Sequence, residues 1–451
     1  MTTVVKSLVP DAGALLRTDP YDDTPPGSGR ERPLAGRSAA VTDADADELL
    51  GHIAAADLRG RGGAGFPAAV KLRAVRDAAG PAGPAPVVVA NGEEGEPGSV
   101  KDRWLMRARP DLVLDGLVHA ARITRADRGY VYVSDPDAAD RVRDALTRHP
   151  PPLPVGIVLT APGYVAGEES AVVRRIEGGP ALPTAKPPRP YEHGVGGAPT
   201  LVANVETLAR IAAVAARPDL RGAIAGSTLL TLSGGSAPAL LTEVPYGVPL
   251  RELAAAQGVP DAWGALVGGL FGGLVGRTGL DLPLEPEALS AAGTAVGCGA
   301  LRFLGPDECP VALAAEAARY LAAESSRQCG VCVSGTAAIA DALRGLTLGE
   351  APADLRERLH RWSTGLHGRG ACGLPSAAAR LAGTVATAFP AALDTHEHGA
   401  CPVCPAPAPP LAVPVPPVPV PPVPVPPFRV PALPVPVPDP APPGPEWPPE
   451  P

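Results

Sequence analysis

Aromatic residues are scarce in this 451-residue chain, 4% of the total, and charged residues make up only 19%, with a formal balance of −8. A chain built to grip a nucleic acid or an anionic bilayer carries basic stripes interleaved with rings. No such stripe is present, which argues against both as main partners. Long hydrophobic runs are also missing: the most apolar stretch, Ala262 to Gly276, is too short to span a bilayer and is broken by glycine, so it reads as strand and turn. The opening residues, M-T-T-V-V-K-S-L-V-P-D, lack the apolar core of a secretory signal, and the expected compartment is the cytoplasm. The 7 cysteines are an odd number in such a chain, which favours free thiols or metal ligands over disulfides.

What is abundant is Ala, Gly and Pro within a 45% hydrophobic composition, enough for two or three domains with ample core. The organising stretch is R-G-R-G-G-A-G-F-P-A-A-V-K, Arg59 to Lys71. Its small residues cannot form a hydrophobic face, and a helical pattern follows at once. Gly60, Gly62, Gly63 and Gly65 let main-chain N–H groups approach a ligand, and a helix N-terminus behind them suits a phosphate or a flat cofactor. On spacing alone, a plain glycine-rich turn accounts for it equally well. A helix over Asp43 to Ala56 leads into this loop, and Pro86 to Ala90 reads as a buried strand running into N-G-E-E-G-E-P, Asn91 to Pro97. Helix at 111–124, strand at 129–134, helix at 137–147 and strand at 155–159 alternate as in a mostly parallel α/β sheet. Carboxylates Glu93, Glu94 and Glu96, set among glycines at a strand end, fit a cleft better than an open acidic turn.

Three long motifs occur in order: R-G-R-G-G-A-G-F-P with Lys71 four residues after the proline, N-G-E-E-G-E-P-G-S-V-K-D-R at 91–103, and G-Y-V-A-G-E-E-S-A-V-V-R-R-I-E-G at 163–178. Together they resemble the NADH-binding flavoprotein subunit of respiratory complex I and the related diaphorase subunits of NAD-linked hydrogenases and formate dehydrogenases. The resemblance implies an FMN and NAD(H) pocket formed by Gly60, Arg61, Gly62, Gly63, Gly65, Phe66 and Lys71, with Asn91, Glu93 and Glu96 at the flavin. It adds Gly167 and Glu168 to the pocket, and gives Glu94 and Glu169 the catalytic positions beside flavin and nicotinamide. Lys186 in A-K-P-P-R-P matches a nucleotide-contacting lysine, and Asn204 matches an asparagine that holds FMN. The family has Asp more often at position 93 and a second asparagine where Ala203 stands. Of the three aromatic positions that stack adenine in the family, only Phe66 is aromatic here; Ala74 and Arg189 occupy the others, and an arginine can itself stack on a base or pair with a phosphate.

The C-terminal third is alanine-rich and helical in pattern, and it contains E-S-S-R-Q-C-G-V-C. Cys329 and Cys332 form a C-x-x-C whose meaning, taken alone, is a redox disulfide, half a zinc site or part of a cluster. The family pattern is E-S-C-x-x-C-x-x-C with a later fourth cysteine, which implies an iron-sulfur cluster of the 4Fe-4S type on Cys329, Cys332 and Cys372, with Ser326 at the remaining position. A three-iron cluster or an empty, degenerate site are the alternatives. Cys298 and Cys309 match no ligand and are expected to be buried structural thiols. His396, His398, Cys401 and Cys404 form a second set of metal-ligand types, while Cys401 is also a candidate for the cluster's fourth ligand. Repeats of P-V-P-V-P-P from Pro405 onward predict a disordered polyproline rod, dispensable for chemistry.

These readings give a flexible segment at 1–35, an FMN/NADH-binding α/β domain at 36–225, a small ubiquitin-like β-grasp domain at 226–305, a helical iron-sulfur domain at 306–395 and a Cys/His segment with tail at 396–451. The implied activity is oxidation of NADH with electrons passed to a ferredoxin-like or iron-sulfur acceptor protein, within a multi-subunit complex. A relay fed by ferredoxin rather than NADH, or a non-catalytic scaffold, are the competing functions.

Overall fold

The computed structural model describes residues 3–5, 15, 43–80, 83–399, 401–404, 411–416 and 418. After β1 (Val4–Val5), which joins the second unit's sheet, the first unit runs α1 (Asp43–Ala55), α2 (Ala68–Ala78), β2 (Val87–Asn91), α3 (Lys101–Ala108), α4 (Pro110–Thr124), β3 (Arg128–Val133), α5 (Pro136–Arg148), β4 (Val155–Leu159), α6 (Glu169–Ile176), β5 (Thr200–Asn204), α7 (Val205–Ala216) and α8 (Arg221–Ala225). Strands β2 to β5 form a four-stranded sheet in the order β4-β3-β2-β5, all parallel.

The reason for the unbroken apolar run V-V-V-A in β2 is burial of both sheet faces. Val88 and Ala90 pack with Leu72, Val75 and Leu117 on one side. Val87 and Val89 meet Val172 and Ile176 of α6 on the other. Helix α4 opens with Pro110 in its first turn, where a missing N–H costs nothing. It lies so close to α7 that a Cβ on Gly116 would stand 1.9 Å from the Leu208 carbonyl oxygen. Helix α3 begins at Lys101, so K-D-R of the 91–103 motif forms its first turn.

The second unit contains β6 (Ser227–Ser233), β7 (Leu240–Pro245), α9 (Leu250–Ala256), β8 (Gly264–Val267), β9 (Leu274–Gly276), α10 (Pro286–Ala291) and β10 (Ala300–Leu304). Its sheet has the order β1-β7-β6-β10-β8-β9, in which β6 and β7 form a hairpin and β10 returns between them and β8, parallel to β6. Helix α9 buries Leu250 and Leu253 on this sheet. The third unit is a helical bundle of α11 (Pro310–Ala323), α12 (Thr336–Thr347), α13 (Leu355–Gly365), α14 (Leu374–Ala388) and α15 (Pro390–His398), with a π-helical turn at Val331–Gly335 leading into α12. Among the described residues no helix is long and apolar enough to cross a membrane.

Two expectations need correction where the ends of the chain are described. Val4 and Val5 pair with β7, and the buried Leu15 donates its N–H to Glu243 Oε2 at 3.0 Å, so these N-terminal residues are packed rather than loose. The expected free proline rod also fails at 411–418: Val413 donates to the Pro97 carbonyl at 3.0 Å and joins the main core with Val415 and Val418 beside it. Valines alternating with prolines give this strap an apolar edge, and burial of that edge holds it. The remainder of the tail lies outside the described residues.

A buried ionic network fastens the first two units together. Glu206, on α7, is fully buried; it pairs with Lys101 at 3.0 Å and Arg210 at 3.0 Å, has Arg61 at 3.7 Å, and accepts the Leu229 N–H of β6 at 3.0 Å. Despite burial, which acts in the opposite sense, the cations of Lys101, Arg210 and Arg61 hold its carboxyl down at about 2. Removing one partner from such a set strands the rest uncompensated. Glu206→Ala is expected to lower unfolding stability by about 3–5 kcal/mol in urea titrations; a loss under about 1 kcal/mol would show that water or side-chain movement replaces the carboxylate.

Candidate functional site at the carboxyl ends of the parallel strands

Ligands of open α/β sheets bind beyond the carboxyl ends of the strands, and here those ends carry Asn91 on β2 and Asn204 on β5, directly opposite each other in register. Asn91 donates through Nδ2 to the Gly167 carbonyl at 2.8 Å and accepts the Glu93 N–H at 3.2 Å. Asn204 caps α7, accepting the Glu206 N–H at 3.0 Å, and donates to Asp102 at 2.6 Å. The motifs at 91–103 and 163–178 and the asparagine before α7 therefore meet at one place.

The glycine loop between α1 and α2 arches over that place. It is closed by a hydrogen bond from the Gly60 N–H to the Phe66 carbonyl at 2.9 Å and tied to α7 by the Arg61 N–H on Thr207 Oγ1 at 2.8 Å. A Cβ on Gly62 would lie 3.3 Å from the Asn204 Cβ, and Gly63 faces the Gly297–Cys298 backbone. Gly65 has φ +61° and open space where a side chain would project. The Arg61 side chain does not join its loop at the site. It turns inward, donating to the carbonyls of Ala225 at 2.7 Å and Ser227 at 2.9 Å. Only its backbone belongs to the loop's ligand-facing geometry.

The three carboxylates of the acidic turn have different environments. Glu94 is saturated: it accepts from Ser99 Oγ at 2.6 Å, from the Asp102 and Arg103 N–H groups at 3.1 Å each, and pairs with Arg103 Nε at 3.1 Å. That makes it the anchor of the α3 N-terminus, and the expected catalytic position is occupied by a carboxylate with no oxygen to spare. Glu93 accepts the Gly163 N–H at 3.1 Å through Oε1, while its buried Oε2 has no hydrogen-bond partner among the described residues. Burial pushes the Glu93 carboxyl up to about 7. Burial does the same to Glu96, also to about 7, although Oε2 accepts the Leu270 N–H at 2.9 Å.

At the mouth, Lys71 donates to the Val202 carbonyl at 2.9 Å and pairs with Glu169 at 3.2 Å, and Arg189 stands 4.0 Å from the same carboxylate. Lys186 pairs with Glu168, whose other oxygen caps α6 through the N–H of Ser170 at 3.0 Å. Phe66 is 52% exposed on the glycine loop ahead of α2. The structure thus brings Lys71 and Arg189 to Glu169 and Lys186 to the neighbouring Glu168, at the start of α6.

The loop at 163–164 also reaches the cysteine region. The Tyr164 N–H donates to Glu324 Oε2 at 2.7 Å, one residue along from the Glu93 contact, and the Tyr320 hydroxyl donates to the Gly95 carbonyl at 3.2 Å. Cys329 and Cys372 pack against the same apolar core that buries Cys332, and burial pushes the Cys372 thiol up. Cys332 is fully buried, with the Ser325 hydroxyl 2.8 Å from its sulfur. Ser326, the next residue, is partly buried.

A sequence profile described as the Nuo51 FMN-binding domain matches residues 53–213, and one described as the NADH-ubiquinone oxidoreductase-F iron-sulfur binding region matches residues 312–396. The chain is 31% identical over 359 residues to the NADH-quinone oxidoreductase F subunit 2 of Rhizobium meliloti, covering 74% of this chain and 85% of that protein. It belongs to the family of NADH-quinone oxidoreductase F subunits. The F subunit of the Escherichia coli enzyme is 31% identical over 350 residues, covering 71% of this chain and 78% of the relative. The crystal structure of an NAD+-reducing NiFe hydrogenase in the air-oxidized state superposes with a TM-score of 0.67 at 30% identity, covering 80% of this chain and 64% of that chain. The chain therefore spans somewhat less than two thirds of the hydrogenase polypeptide.

The pocket fits the FMN of this family on two structural grounds: a glycine loop whose added Cβ at position 62 would press on Asn204, and a buried Glu93 oxygen still lacking a partner among the described residues. Sequence reasoning missed Lys101, Asp102, Glu206 and Arg210 beneath the pocket. A signal existed, since Glu206 and Arg210 are spaced i, i+4 in an otherwise apolar helix. A carboxyl whose folded pKa lies above its unfolded value stabilises the fold fully below the unfolded pKa and loses that contribution as pH rises through the folded one. Flavin-free protein should therefore lose stability between pH 4.5 and about 7, by at most about 3 kcal/mol per carboxyl. Thermal melts of Glu93→Gln and Glu96→Gln should show a flatter profile in that window; an unaltered slope would place the titration elsewhere.

Proposed function

We propose that this chain is an NADH-oxidising flavoprotein that delivers electrons to its own iron-sulfur site and then to an iron-sulfur partner protein. The carrying observation is the 163–164 loop, whose consecutive N–H groups bind Glu93 of the flavin pocket and Glu324 of the cysteine region. When bound, FMN accepts a hydride and releases electrons singly, and a cluster carries them one at a time. Asn91, Asn204 and the backbone of residues 60–65 hold the flavin in this reading, with Gly167 at its edge. Lys71, Lys186 and Arg189 face the nucleotide phosphates, Phe66 stacks on the adenine, and Glu169 orients the cations. Glu93 keeps a proton close to neutral pH and so has a donor to offer the flavin. Cys329, Cys332 and Cys372 supply three thiolates, with Ser326 or another donor completing the set.

The domain division at 226–305 and 306–395 is supported by an apolar core at 230–303 distinct from that of the helical bundle, which also takes in Leu266, Leu270, Leu274 and Leu304. The ubiquitin-like assignment of the second unit is supported by its hairpin, helix and returning parallel strand. We place the protein in the cytoplasm, as a member of a multi-subunit assembly.

Anaerobically purified protein should show a flavin absorbance band that bleaches on addition of NADH; a band that responds only to reduced ferredoxin would favour the relay. Phe66→Ala should raise the KM for NADH about tenfold with little change in kcat, the magnitude of one lost base-stacking contact. Substituting Cys372→Ser should abolish cluster iron and leave flavin content intact, and unchanged iron would remove Cys372 from the ligand set.

A further inference from the structure

The structure assigns a second metal centre, separate from the iron-sulfur cysteines: a structural zinc site formed by Cys309, His396, Cys401 and Cys404. The four ligand atoms lie within 4.8 Å of one another, although they come from chain positions as far apart as 309 and 404. His396 Nε2 is 3.0 Å from the Cys404 sulfur and 3.6 Å from the Cys309 sulfur. Ligands of a tetrahedral zinc ion, with bonds of about 2.3 Å to sulfur and about 2.0–2.1 Å to nitrogen, lie roughly 3.5–4 Å apart, so small side-chain shifts bring this set to single-ion size. A multi-iron cluster binds its ligands through different irons and calls for a wider arrangement.

The surroundings prepare two of the ligands. The His396 Nδ1 sits 2.7 Å from the Ala392 carbonyl one turn back along α15, which fixes a proton on Nδ1 and leaves the Nε2 lone pair facing the thiols. Cys309 caps α11, its sulfur accepting the Ala312 N–H at 3.5 Å. Three thiolates and one neutral imidazole form a closed tetrahedral set with no position left for substrate, the pattern of structural rather than catalytic zinc. Cys309 is thus not the inert buried thiol that its isolation in sequence implied. Cys401 faces this set, and exposed His398 bonds the Asp394 carbonyl at 3.0 Å and stays outside it.

The site lies almost wholly outside the iron-sulfur binding region matched at 312–396, which contains only His396 of the four. Its position gives it a task. It clips the start of α11 to the end of α15 and to the chain that continues into the strap at 411–418, where Leu411 packs beside Glu96 and Val413 binds Pro97.

The test is elemental analysis and zinc-edge X-ray absorption on the full-length protein, purified anaerobically with its flavin and iron. We expect about one zinc per chain, a first shell of three sulfurs near 2.3 Å and one nitrogen near 2.0–2.1 Å, and at least fivefold zinc loss in Cys401→Ser/Cys404→Ser with iron unchanged. In that variant, limited proteolysis should cut within 401–404 or 411–416 at sites protected in the parent. If the variant does not fold, the absorption spectrum of the parent decides alone. Less than about 0.2 zinc per chain, an oxygen-dominated shell, or loss of iron in place of zinc would overturn the assignment.

Discussion

The fold rests on one carboxylate with no access to water. Glu206 draws Lys101 of α3, Arg210 of α7 and Arg61 of the glycine loop to a single point, and reaches across to the backbone of β6. Burying so much charge has a large desolvation cost, which only dense mutual pairing offsets. The arrangement therefore has little freedom. It fixes the root of the glycine loop against the first turn of α7, which also presents Asn204, and it sets the second unit's sheet against the first. The pocket inherits its shape from interactions below its floor.

Above that floor, close backbone approach sets the distance between flavin pocket and cysteine region. A Cβ on Gly95 would lie 2.3 Å from the Gly163 carbonyl oxygen, so only glycine lets the acidic turn and the 163–164 loop touch. Once they touch, the N–H groups of Gly163 and Tyr164 are divided between Glu93 and Glu324, and Tyr164 meets Tyr320 edge to face at 6.2 Å. Residues on each side of the electron path are thereby connected through two adjacent peptide units. A loop that could drift would make the transfer distance variable; this one is clamped from both directions.

Much of this was legible in the sequence because it depends on local pattern. The apolar run of β2, the turn residues after it and the helical spacing of α4 and α5 each follow from burial on a known periodicity. Resemblance supplied the cofactors, and the three motifs converge at the strand ends as it implied. What the sequence concealed was direction. Nothing in R-G-R-G says that Arg61 turns inward, and nothing in E-E-G-E distinguishes the saturated Glu94 from Glu93 with its unpartnered oxygen. Such differences arise from elements distant in the chain, as does the meeting of Cys309 with His396. The strap at 411–418 escaped for a related reason, since proline repeats signal lack of internal hydrogen bonds but say nothing of an apolar surface waiting to receive the valines.

Under the proposed function, the cations around Glu168 and Glu169 suggest how a nucleotide is received with so few rings. Lys71 is held by Glu169, which Arg189 also approaches, and Lys186 is held by Glu168, so each cation is already oriented and partly neutralised. An incoming pyrophosphate exchanges one anionic partner for another rather than ordering free side chains, and the entropy of fixing long lysines is lost at folding instead of at binding. The surplus from such an exchange is small, because a good partner is given up for each one gained. In the proposed reading, affinity then depends on what the carboxylates released from those pairs do next and on stacking by Phe66, with Arg189 proposed as the planar substitute for a missing ring. A site of this kind trades tight ground-state binding for ready release, which suits a protein that must let its oxidised nucleotide go after every hydride.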